Sequence, residues 1–282
     1  IKIMKKIFNY LFSLVYAIDK FILDKFNKSV ILHFMEFLNK NSYKELQINN
    51  RNINFFIPNN LANWRINTFF TQEPDTLKWI DDFEANNDII FWDIGANIGL
   101  YSLYAATKHQ NINIISFEPS TSNLRVLSRN ISVNDLNNKI KICQFPLTNE
   151  TNKFLQMNES DFLEGSSLHS FGEKINHEGK IFSPKNKYSI YGTSADYLLE
   201  QNILQFPNYV KIDVDGLEHF VLQGARKVLN SDHIKSVLVE VNENFTVQSN
   251  EVDKIMNFYN FTLRQKEQLS LEKLSKQFEK TF

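Results

Sequence analysis

The sequence predicts an α/β fold in which helices cover both faces of a mostly parallel central sheet. Short apolar runs alternate with helical periods from residue 88 onward, which is the pattern of strand–helix–strand units. The runs are apolar almost throughout, as parallel strands are when both of their faces are buried. The predicted strands lie at 89–94, 112–117, 140–145, 209–214 and 236–241, and the predicted helices at 100–108, 122–133, 195–200, 217–229 and 251–259.

Two regions of this domain depart from the alternating pattern. Residues 148–193 are rich in Asn, Ser, Glu and Gly and show only a weak strand signal at 153–157, so we expect functional loops there. The end of the chain offers one strand, at 261–265, before a charged stretch, and any strand after it is expected to be short or absent. A helix at 72–84, with Pro74 near its start, leads into the domain.

Residues 1–70 are predicted to form a helical and hairpin extension, and residues 71–282 the main domain. A hairpin is expected at 48–58, where Asn clusters accompany alternating apolar residues. Residues 7–22 carry apolar side chains at helical spacing, and residues 1–28 hold six lysines against two acids. The apolar run is about a dozen residues long, whereas about 20 are needed to span a bilayer.

Three interpretations of residues 1–28 stay open. The helix packs on its own domain or on a partner subunit, it lies on an anionic membrane surface, or it is a targeting segment that is cleaved. We expect a cytoplasmic protein, and the second interpretation would place it at the inner face of the membrane. The oligomeric state is open as well.

The composition of the chain argues against several classes of partner and ligand. The 31 Lys and Arg residues nearly balance the 32 Asp and Glu residues, so the chain lacks the basic footprint of nucleic-acid binding. Cys143 is the only cysteine, which excludes an internal disulfide and a cysteine-rich zinc module, and its apolar run suits a buried strand thiol. The six histidines show no ligand-like pairing, so no metal site is predicted from them.

The strongest local signal is the segment FWDIGANIG at 91–99, an apolar strand that ends in Asp93 and continues through Gly95 and Gly99 into a helix. Glycines permit a tight strand-to-helix turn and let a cofactor approach the backbone. Glu118 closes the next strand, where an acid can accept hydrogen bonds from both hydroxyls of a ribose. Together these residues predict a nucleotide-type cofactor site.

A dinucleotide site is the competing interpretation of this segment. Its fingerprint requires Gly-x-Gly-x-x-Gly and places a pyrophosphate at the helix N-terminus. Here the spacing is Gly-x-x-x-Gly, and Asp93 would repel a diphosphate, whereas its carboxylate can hold a positively charged amino group. The charges therefore favour S-adenosylmethionine over a nicotinamide dinucleotide. A glycine turn without any ligand is the remaining alternative.

A third constellation is VKIDVDGLE at 210–218, where the fourth strand ends. Ligands of doubly wound sheets bind at the carboxyl ends of the strands, so Asp213 is expected to face the cleft and to orient or deprotonate the substrate. Glu218 and Glu240 are the further candidates for the base. Asp215 and Glu218 also fit a capping box at the start of a helix.

The next strand ends in further oxygen-bearing residues. Glu240, Asn242 and Glu243 are expected near Asp213, where their oxygens can bind either a hard divalent cation or a substrate hydroxyl without metal. A divalent metal is not part of the expected cofactor set, and no residue is assigned to one.

At these residues the chain resembles the FkbM family of methyltransferases. Members show a strand ending in Asp-Ile-Gly-Ala-Asn-Ile-Gly, then Phe-Glu-Pro, then Ile-Asp-Val-(Glu/Asp)-Gly-x-Glu. Here these motifs stand at 93–99, 117–119 and 212–218, in the same order. Asp215 replaces the more usual Glu, which keeps the charge and shortens the reach. The resemblance covers residues 70–245.

The resemblance implies a Rossmann-like class I methyltransferase sandwich. It implies transfer of the methyl group of S-adenosylmethionine to a hydroxyl oxygen of a sugar, glycan or related metabolite, with S-adenosylhomocysteine as the product. Two alternatives stay open: a catalytically silent methyltransferase-like scaffold and a nicotinamide-dependent enzyme. The residues expected to bind the cofactor are Asp93, Gly95, Ala96, Asn97, Gly99, Glu118, Pro119, Pro146 and Asp213.

Overall fold

The computed structural model describes residues 2–84, 88–268 and 273–281, and a seven-stranded sheet organises this part of the chain. Five neighbouring strands of this sheet are parallel to one another. The two strands at the other edge pair antiparallel with their neighbours. The predicted mostly parallel sheet is confirmed. From edge to edge its strands are β5 (Ile140–Cys143), β4 (Ile112–Phe117), β3 (Ile89–Ile94), β9 (Tyr209–Ile212), β10 (Ser236–Asn242), β12 (Lys273–Lys280) and β11 (Phe261–Gln268).

The chain winds away from the centre of the sheet in two directions. It steps from β3 through β4 to β5, then returns to the other side of β3 to form β9 and β10. A crevice opens at the carboxyl ends of the strands where this direction reverses, between β3 and β9. The fold therefore brings the segments after these two strands together, although they are far apart in the sequence.

Helices bury both faces of the sheet. Consecutive side chains from Phe91 to Ile94 are all at most 3% exposed, which requires packing on both sides of β3. The helices that follow the strands are α5 (Leu100–Lys108), α6 (Thr121–Val133), α7 (Ala195–Glu200), α8 (Glu218–Gln223), α9 (Arg226–Asn230) and α10 (Thr246–Phe258), and α4 (Pro74–Asp81) precedes β3.

The end of the chain corrects one expectation. Instead of a single strand at 261–265, β11 and β12 form a hairpin of two eight-residue strands, and β12 inserts between β11 and β10. The charged character of β12 hid this strand, because Lys276 occupies a buried position that would normally be apolar. Its ammonium lies 2.8 Å from both carboxylate oxygens of Asp253, which neutralises it.

Residues 148–193 contain more regular structure than the sequence indicated. A three-stranded antiparallel sheet forms there from β6 (Lys153–Glu159), β7 (Ser170–Phe171) and β8 (Asn186–Gly192). Its outer positions are polar or exposed, as at Phe154, which is 73% exposed, so the alternation of apolar residues is weak. The segments between these strands remain loops, and one of them reaches the crevice.

The segment before the main sheet includes the expected hairpin, but the hairpin begins at residue 43 instead of 48. The strands are β1 (Tyr43–Ile48) and β2 (Arg51–Phe56), joined at Asn49 and Asn50, whose φ angles of 49° and 61° are typical of a two-residue hairpin turn. Helix α3 (Asn60–Gln72) follows and begins at Asn59, whose side chain accepts a hydrogen bond from a backbone N–H of the first turn.

The chain divides into two units between Tyr43 and Lys44. The first contains α1 (Lys2–Phe26) and α2 (Val30–Asn41), joined by a short turn. The carboxylate of Asp19, in α1, accepts hydrogen bonds from Ser29 Oγ in that turn and from the first N–H groups of α2. Among the described residues no helix is long and apolar enough to cross a bilayer. The predicted start of the main domain after residue 70 stays a prediction.

Candidate active site

A cavity of about 300 Å³ lies in the crevice at the carboxyl ends of the central strands. The turn after β3, the segments after β4 and β9, and Glu240 of β10 form its floor. Helix α3 and the loop at 166–171 form its walls. It lies where ligands of doubly wound sheets bind, so we take it as the candidate active site.

The glycine turn after β3 forms one side of the cavity. The backbone N–H groups of Gly95 and Ala96 both donate to the carbonyl oxygen of Phe117, at 3.0 Å each. Gly95 has a φ of +87°, and a Cβ at this position would lie 1.9 Å from the backbone oxygen of Asp213. Only glycine allows the turn after β3 to approach the end of β9 this closely.

Glu118 closes this side of the cavity at the end of β4. Its carboxylate is 4% exposed and accepts hydrogen bonds from the N–H groups of Asn97, at 2.7 Å, and Ser120, at 2.8 Å. Burial raises the pKa of Glu118 to about 8, although these two hydrogen bonds oppose the shift. The side chain is therefore fixed in place beside the glycine turn and titrates near neutral pH.

The loop at 165–168 is held against the same turn by side-chain amides. The carbonyl oxygen of Ser166 accepts hydrogen bonds from the amides of Asn97 and Asn123, each at 3.0 Å. Asp215 accepts a hydrogen bond from the Leu168 N–H at 2.7 Å. This loop thus joins the segments after β3 and β9 and closes the cavity above them.

Asp213 lies at the end of β9 on the opposite side of the cavity. Its N–H donates to the carbonyl oxygen of Ile94 at 3.0 Å, and its Oδ2 lies 2.9 Å from the ammonium of Lys211. Lys211 is 2% exposed. Burial alone would lower the pKa of Lys211, but the carboxylates of Asp213, Glu73 and Asp93 raise it above its ordinary value. Lys211 is therefore a fixed positive charge beneath Asp213.

Two further acids surround Asp213. Glu73, between α3 and α4, and Glu240, on β10, each place a carboxylate oxygen so that these atoms and one of Asp213 all lie within 4.8 Å of one another. The Tyr101 hydroxyl hydrogen-bonds to Glu73, and burial together with that acid raises the pKa of Tyr101. The ammonium of Lys211 lies 4.9 Å from the centre of the Tyr101 ring. This acidic cluster can bind hydroxyl donors or a hard cation.

The family is decided by a comparison with known sequences. Residues 93–263 match the family model described as the methyltransferase FkbM domain, which is more than half of the chain. The chain belongs to the FkbM methyltransferase family. The resemblance at the three motifs is thereby confirmed, and the enzyme is an S-adenosylmethionine-dependent methyltransferase. The nicotinamide alternative is set aside.

Curated relatives of the methyltransferase are themselves methyltransferases. Hexuronic acid methyltransferase AglP of Haloferax volcanii is 29% identical over 196 residues, which cover 69% of this chain and 71% of that protein. Methyltransferase sdnD of Sordaria araneosa is 27% identical over 171 residues, covering 52% of this chain and 64% of that protein. The alignment with the second relative thus spans less than two thirds of its length.

Solved structures also resemble the methyltransferase at low sequence identity. A precorrin-6y C5,15-methyltransferase from Geobacter metallireducens has a TM-score of 0.44 and 12% identity, covering 74% of this chain and 87% of that one. The strand order of the central sheet itself, with the antiparallel strand β12 inserted between β10 and β11, carries the fold assignment.

The residues of the glycine turn fit S-adenosylmethionine. Asn97 Oδ1 is buried, belongs to a residue that lines the cavity, and has no hydrogen-bond partner in the described part of the chain, so it can accept a bond from the amino group of the methionine moiety. Glu118 can accept bonds from the ribose hydroxyls. Pro146 and Leu147 also line the cavity and add apolar surface to it.

The structure distributes the predicted site residues unevenly. Most of those expected at the cofactor line the cavity: Gly95, Ala96, Asn97, Glu118, Pro119, Pro146 and Asp213. Asp93 and Gly99 do not. Asp93 is fully buried behind the turn and accepts a hydrogen bond from Ser102 Oγ at 2.6 Å. Gly99 begins α5 with a φ of +89°, where a Cβ would lie 2.5 Å from Leu127. Both therefore support the turn from outside the cavity.

Of the three candidates for the base, Asp213 and Glu240 line the cavity and Glu218 does not. Glu218 is 1% exposed, and its carboxylate accepts hydrogen bonds from the N–H groups of Val214 and Gly216. Its position corrects the catalytic prediction, because these bonds and the burial leave it no access to substrate. The capping-box alternative is wrong for Asp215, which instead bonds to Leu168.

Sequence analysis missed Glu73 of the acidic cluster and two residues that contact the cluster, Tyr101 and Lys211. Glu73 and Tyr101 belong to elements outside the motifs, and only the fold brings them to Asp213. Lys211 did carry a signal, since it is a charged residue within the otherwise apolar strand β9. A buried lysine in such a strand requires a carboxylate partner, and Asp213 two residues later supplies it.

Proposed function

We propose that the methyltransferase methylates a hydroxyl oxygen of a sugar, and that a uronic acid or a glycan containing one is the acceptor. The observation that carries this proposal is the acidic cluster of Glu73, Asp213 and Glu240 in the same cavity as the cofactor residues. Three carboxylates within reach of one another suit adjacent hydroxyl groups, each of which donates one hydrogen bond. The similarity to a hexuronic acid methyltransferase supports the same acceptor class.

Asp213 is the proposed base. Bound S-adenosylmethionine supplies an electrophilic methyl carbon on a sulfonium sulfur, which departs as a neutral thioether. Asp213 holds the acceptor hydroxyl in line with that carbon and takes its proton as the new carbon–oxygen bond forms. Lys211, 2.9 Å from Asp213, places a buried positive charge beside that carboxylate. Glu73 and Glu240 accept hydrogen bonds from neighbouring hydroxyls and so fix the ring of the acceptor.

The direct test is a methyl-transfer assay with labelled S-adenosylmethionine and three glycosides: a glucuronoside, the matching glucoside, and a glucuronoside whose hydroxyls are all blocked. We expect an O-methyl ether on the first, weaker transfer to the second, and none to the third, as identified by mass spectrometry and NMR. Transfer only to nitrogen acceptors, or to no sugar, would contradict the proposal. A chelator is expected to leave the rate unchanged, because Lys211 already supplies a positive charge at Asp213.

We further propose that residues 1–43 bind an anionic membrane surface, so that the enzyme works at the inner face of a membrane. Large apolar side chains of this unit are exposed on both helices. The most exposed are Tyr10, Phe12, Tyr16, Phe21, Phe26, Phe34 and Phe37, between 59% and 74%. An amphipathic helix that exposes aromatic residues beside lysines typically inserts at the headgroup level of a bilayer.

The distribution of charge supports this surface. Residues 1–43 contain seven lysines and three acids, a net charge of +4, whereas the whole chain carries −1, which leaves −5 for residues 44–282. Anionic lipids attract basic residues by about 1 kcal/mol each near the surface. The unit with the exposed aromatic residues is therefore also the one that an anionic membrane attracts.

Sedimentation with lipid vesicles tests this proposal. We expect the full chain to bind vesicles containing phosphatidylglycerol and not vesicles of phosphatidylcholine alone. Replacing Lys20 and Lys25 by Glu should weaken that binding at least about 30-fold, whereas the same change at Lys153 and Lys187 should not. If the apolar surface instead joins two copies of the chain, analytical ultracentrifugation will show a stable dimer that does not bind vesicles, and the proposal is wrong.

A further inference from the structure

Helix α3 forms a wall of the cavity from outside the matched family region. Residues 64, 65, 68, 69 and 72 line the cavity and follow one face of the helix, whereas the FkbM family model begins at residue 93. The contribution of α3 to ligand binding is therefore a property of this chain that the family match does not describe. Its charged member is Arg65.

Arg65 is held in place by one hydrogen bond. Its Nε donates to the carbonyl oxygen of Gly165, in the loop that Asn97 and Asn123 fix against the glycine turn. Gly165 has a φ of +81°, and a Cβ at this position would lie 3.6 Å from Arg65 Cδ, so the loop passes close to the Arg65 side chain. The hydrogen bond restricts the orientation of the guanidinium plane before any ligand arrives.

The terminal nitrogens of Arg65 carry no hydrogen bond or ion pair within the described part of the chain. The other cation of the cavity, Lys211, is already paired with Asp213. Arg65 is half-buried, so water only partly compensates its charge. A guanidinium anchored through Nε and left open at its outer nitrogens is arranged to form two parallel hydrogen bonds to a planar anion.

The charges around Arg65 select the kind of anion. The cavity is lined by five acids, namely Glu73, Glu118, Asp213, Asp215 and Glu240. A phosphate with two negative charges would meet about twice the repulsion that a carboxylate with one charge meets. We propose that Arg65 is a carboxylate-binding residue of the cavity, pairing with a carboxylate that belongs to a bound ligand.

Two ligands of this enzyme class can present that carboxylate. One is the amino-acid end of S-adenosylmethionine, and the other is the acid group of a uronic acid acceptor, which rests on the function proposed above. Either ligand would form the same bidentate contact with Arg65. Replacing Arg65 distinguishes them, because only the ligand that contacts Arg65 should lose affinity.

The cofactor source is tested by calorimetric titration of the wild type, Arg65→Gln and Arg65→Lys. S-adenosylhomocysteine carries the carboxylate, and 5′-methylthioadenosine lacks the amino-acid end. If Arg65 binds the cofactor, Arg65→Gln should weaken S-adenosylhomocysteine binding by about 10- to 100-fold and leave 5′-methylthioadenosine unchanged. Arg65→Lys should recover part of the loss, because it keeps the charge without the planar fork.

The acceptor source is tested by comparing KM for a glucuronoside and for the matching glucoside. If Arg65 binds the acceptor, Arg65→Gln should raise KM for the glucuronoside alone, again by about 10- to 100-fold, with S-adenosylhomocysteine affinity unchanged. A wild type that methylates no sugar would refute the proposed function, yet the titrations would still report on Arg65.

Arg226→Gln is the matched control. Arg226 also donates through Nε to a backbone carbonyl, that of Gln223, but it is exposed and lies outside the cavity. Melting temperatures of all variants confirm that each protein is folded. The proposal is overturned if Arg65→Gln and Arg65→Lys change neither the affinity for S-adenosylhomocysteine nor the ratio of the two KM values by more than Arg226→Gln does.

Discussion

The two sides of the cavity are built in different ways. The side that we propose for the cofactor, called the cofactor side, uses backbone N–H groups, a glycine turn and the buried Glu118, all from two short segments that follow neighbouring strands. The side that we propose for the acceptor, called the acceptor side, uses polar and charged side chains from separate elements: Glu73, Tyr101, Lys211, Asp213 and Glu240. The first depends on how closely backbones approach, and the second depends on how charges balance. Substitutions on the two sides should therefore impair the enzyme in different ways.

The largest effect is expected for Gly95→Ala, on the cofactor side. The added Cβ would lie 1.9 Å from the backbone oxygen of Asp213, at a φ of +87°. Because a backbone atom cannot move aside without separating β3 from β9, we expect a loss of more than about 3 kcal/mol in the free energy of unfolding. Binding of S-adenosylhomocysteine should disappear. Denaturant unfolding and calorimetry measure the two effects.

Gly172→Ala is the control for that substitution. Gly172 has a similar φ of +79°, but its Cβ would meet a methyl group of Leu155 at 3.2 Å. It should therefore cost only the backbone strain, about 1 to 2 kcal/mol, and leave cofactor affinity intact. Equal losses in both variants would show that φ alone, and not the approach of the two segments, makes Gly95 necessary.

Asp213→Asn tests the acceptor side and is expected to have the next largest effect. Removing the proposed base should lower kcat by about 10²- to 10⁴-fold while the affinity for S-adenosylhomocysteine stays within a fewfold of the wild type. Initial rates and calorimetry on the same preparation decide this. A comparable loss in both quantities would mean that Asp213 serves the cofactor rather than the acceptor.

Asp253→Asn is the matched control for Asp213→Asn. Asp253 also pairs with a buried lysine, Lys276, at 2.8 Å, but neither residue lines the cavity. It should destabilise the protein without changing kcat per folded molecule. If it lowers kcat as strongly as Asp213→Asn, the loss comes from the uncompensated lysine and not from the base.

The contrast between the two sides also explains what the sequence could predict. The cofactor side lies in continuous motifs at 93–99 and 117–119, and their glycine spacing and acid position have a direct physical meaning. The alternation of strands and helices predicted the parallel part of the sheet for the same reason, since each element is local. Seven of the expected cofactor residues do line the cavity.

The acceptor side could not be predicted in this way. Glu73 comes from the turn between α3 and α4, and Tyr101 from α5, so nothing in the local sequence connects either to Asp213. The catalytic prediction for Glu218 failed for the opposite reason. Its motif is local, but its carboxylate accepts hydrogen bonds from the N–H groups of Val214 and Gly216 instead of facing the cavity. The buried charge of Lys276 further disguised β12, because its carboxylate partner, Asp253, becomes a neighbour only in the folded chain.

Glu118 should make cofactor binding depend on pH. Burial raises the pKa of this carboxyl from 4.5 to about 8, so its contribution to stability is present below pH 4.5 and is lost as the pH rises through 8. The ionised carboxylate accepts hydrogen bonds from the ribose hydroxyls more strongly than the protonated acid does. We therefore expect the affinity for S-adenosylhomocysteine to rise about tenfold between pH 7 and pH 9, with release of a proton on binding.

Calorimetry in buffers of different ionisation enthalpy measures that proton. Glu118→Gln should bind more weakly at pH 9 and should show no rise in affinity between pH 7 and pH 9. A wild-type affinity that stays constant over this range would mean that Glu118 is already ionised at pH 7, and that its hydrogen bonds to Asn97 and Ser120 outweigh its burial.

The smallest effect is expected for Tyr101→Phe, which probes how Glu73 is held. The hydroxyl of Tyr101 hydrogen-bonds to Glu73, and the ring lies 4.9 Å from the ammonium of Lys211. The Phe variant keeps the ring and removes one hydrogen bond from Glu73, which still accepts one from Thr76 Oγ1, so kcat should fall by about three- to tenfold, with cofactor affinity unchanged. Tyr104→Phe removes a similar bond, 2.9 Å to Asp81, on the same helix and should leave kcat unaltered. Equal rates for the two variants would show that Glu73 needs no fixed orientation, and that the acceptor side depends on its net charge alone.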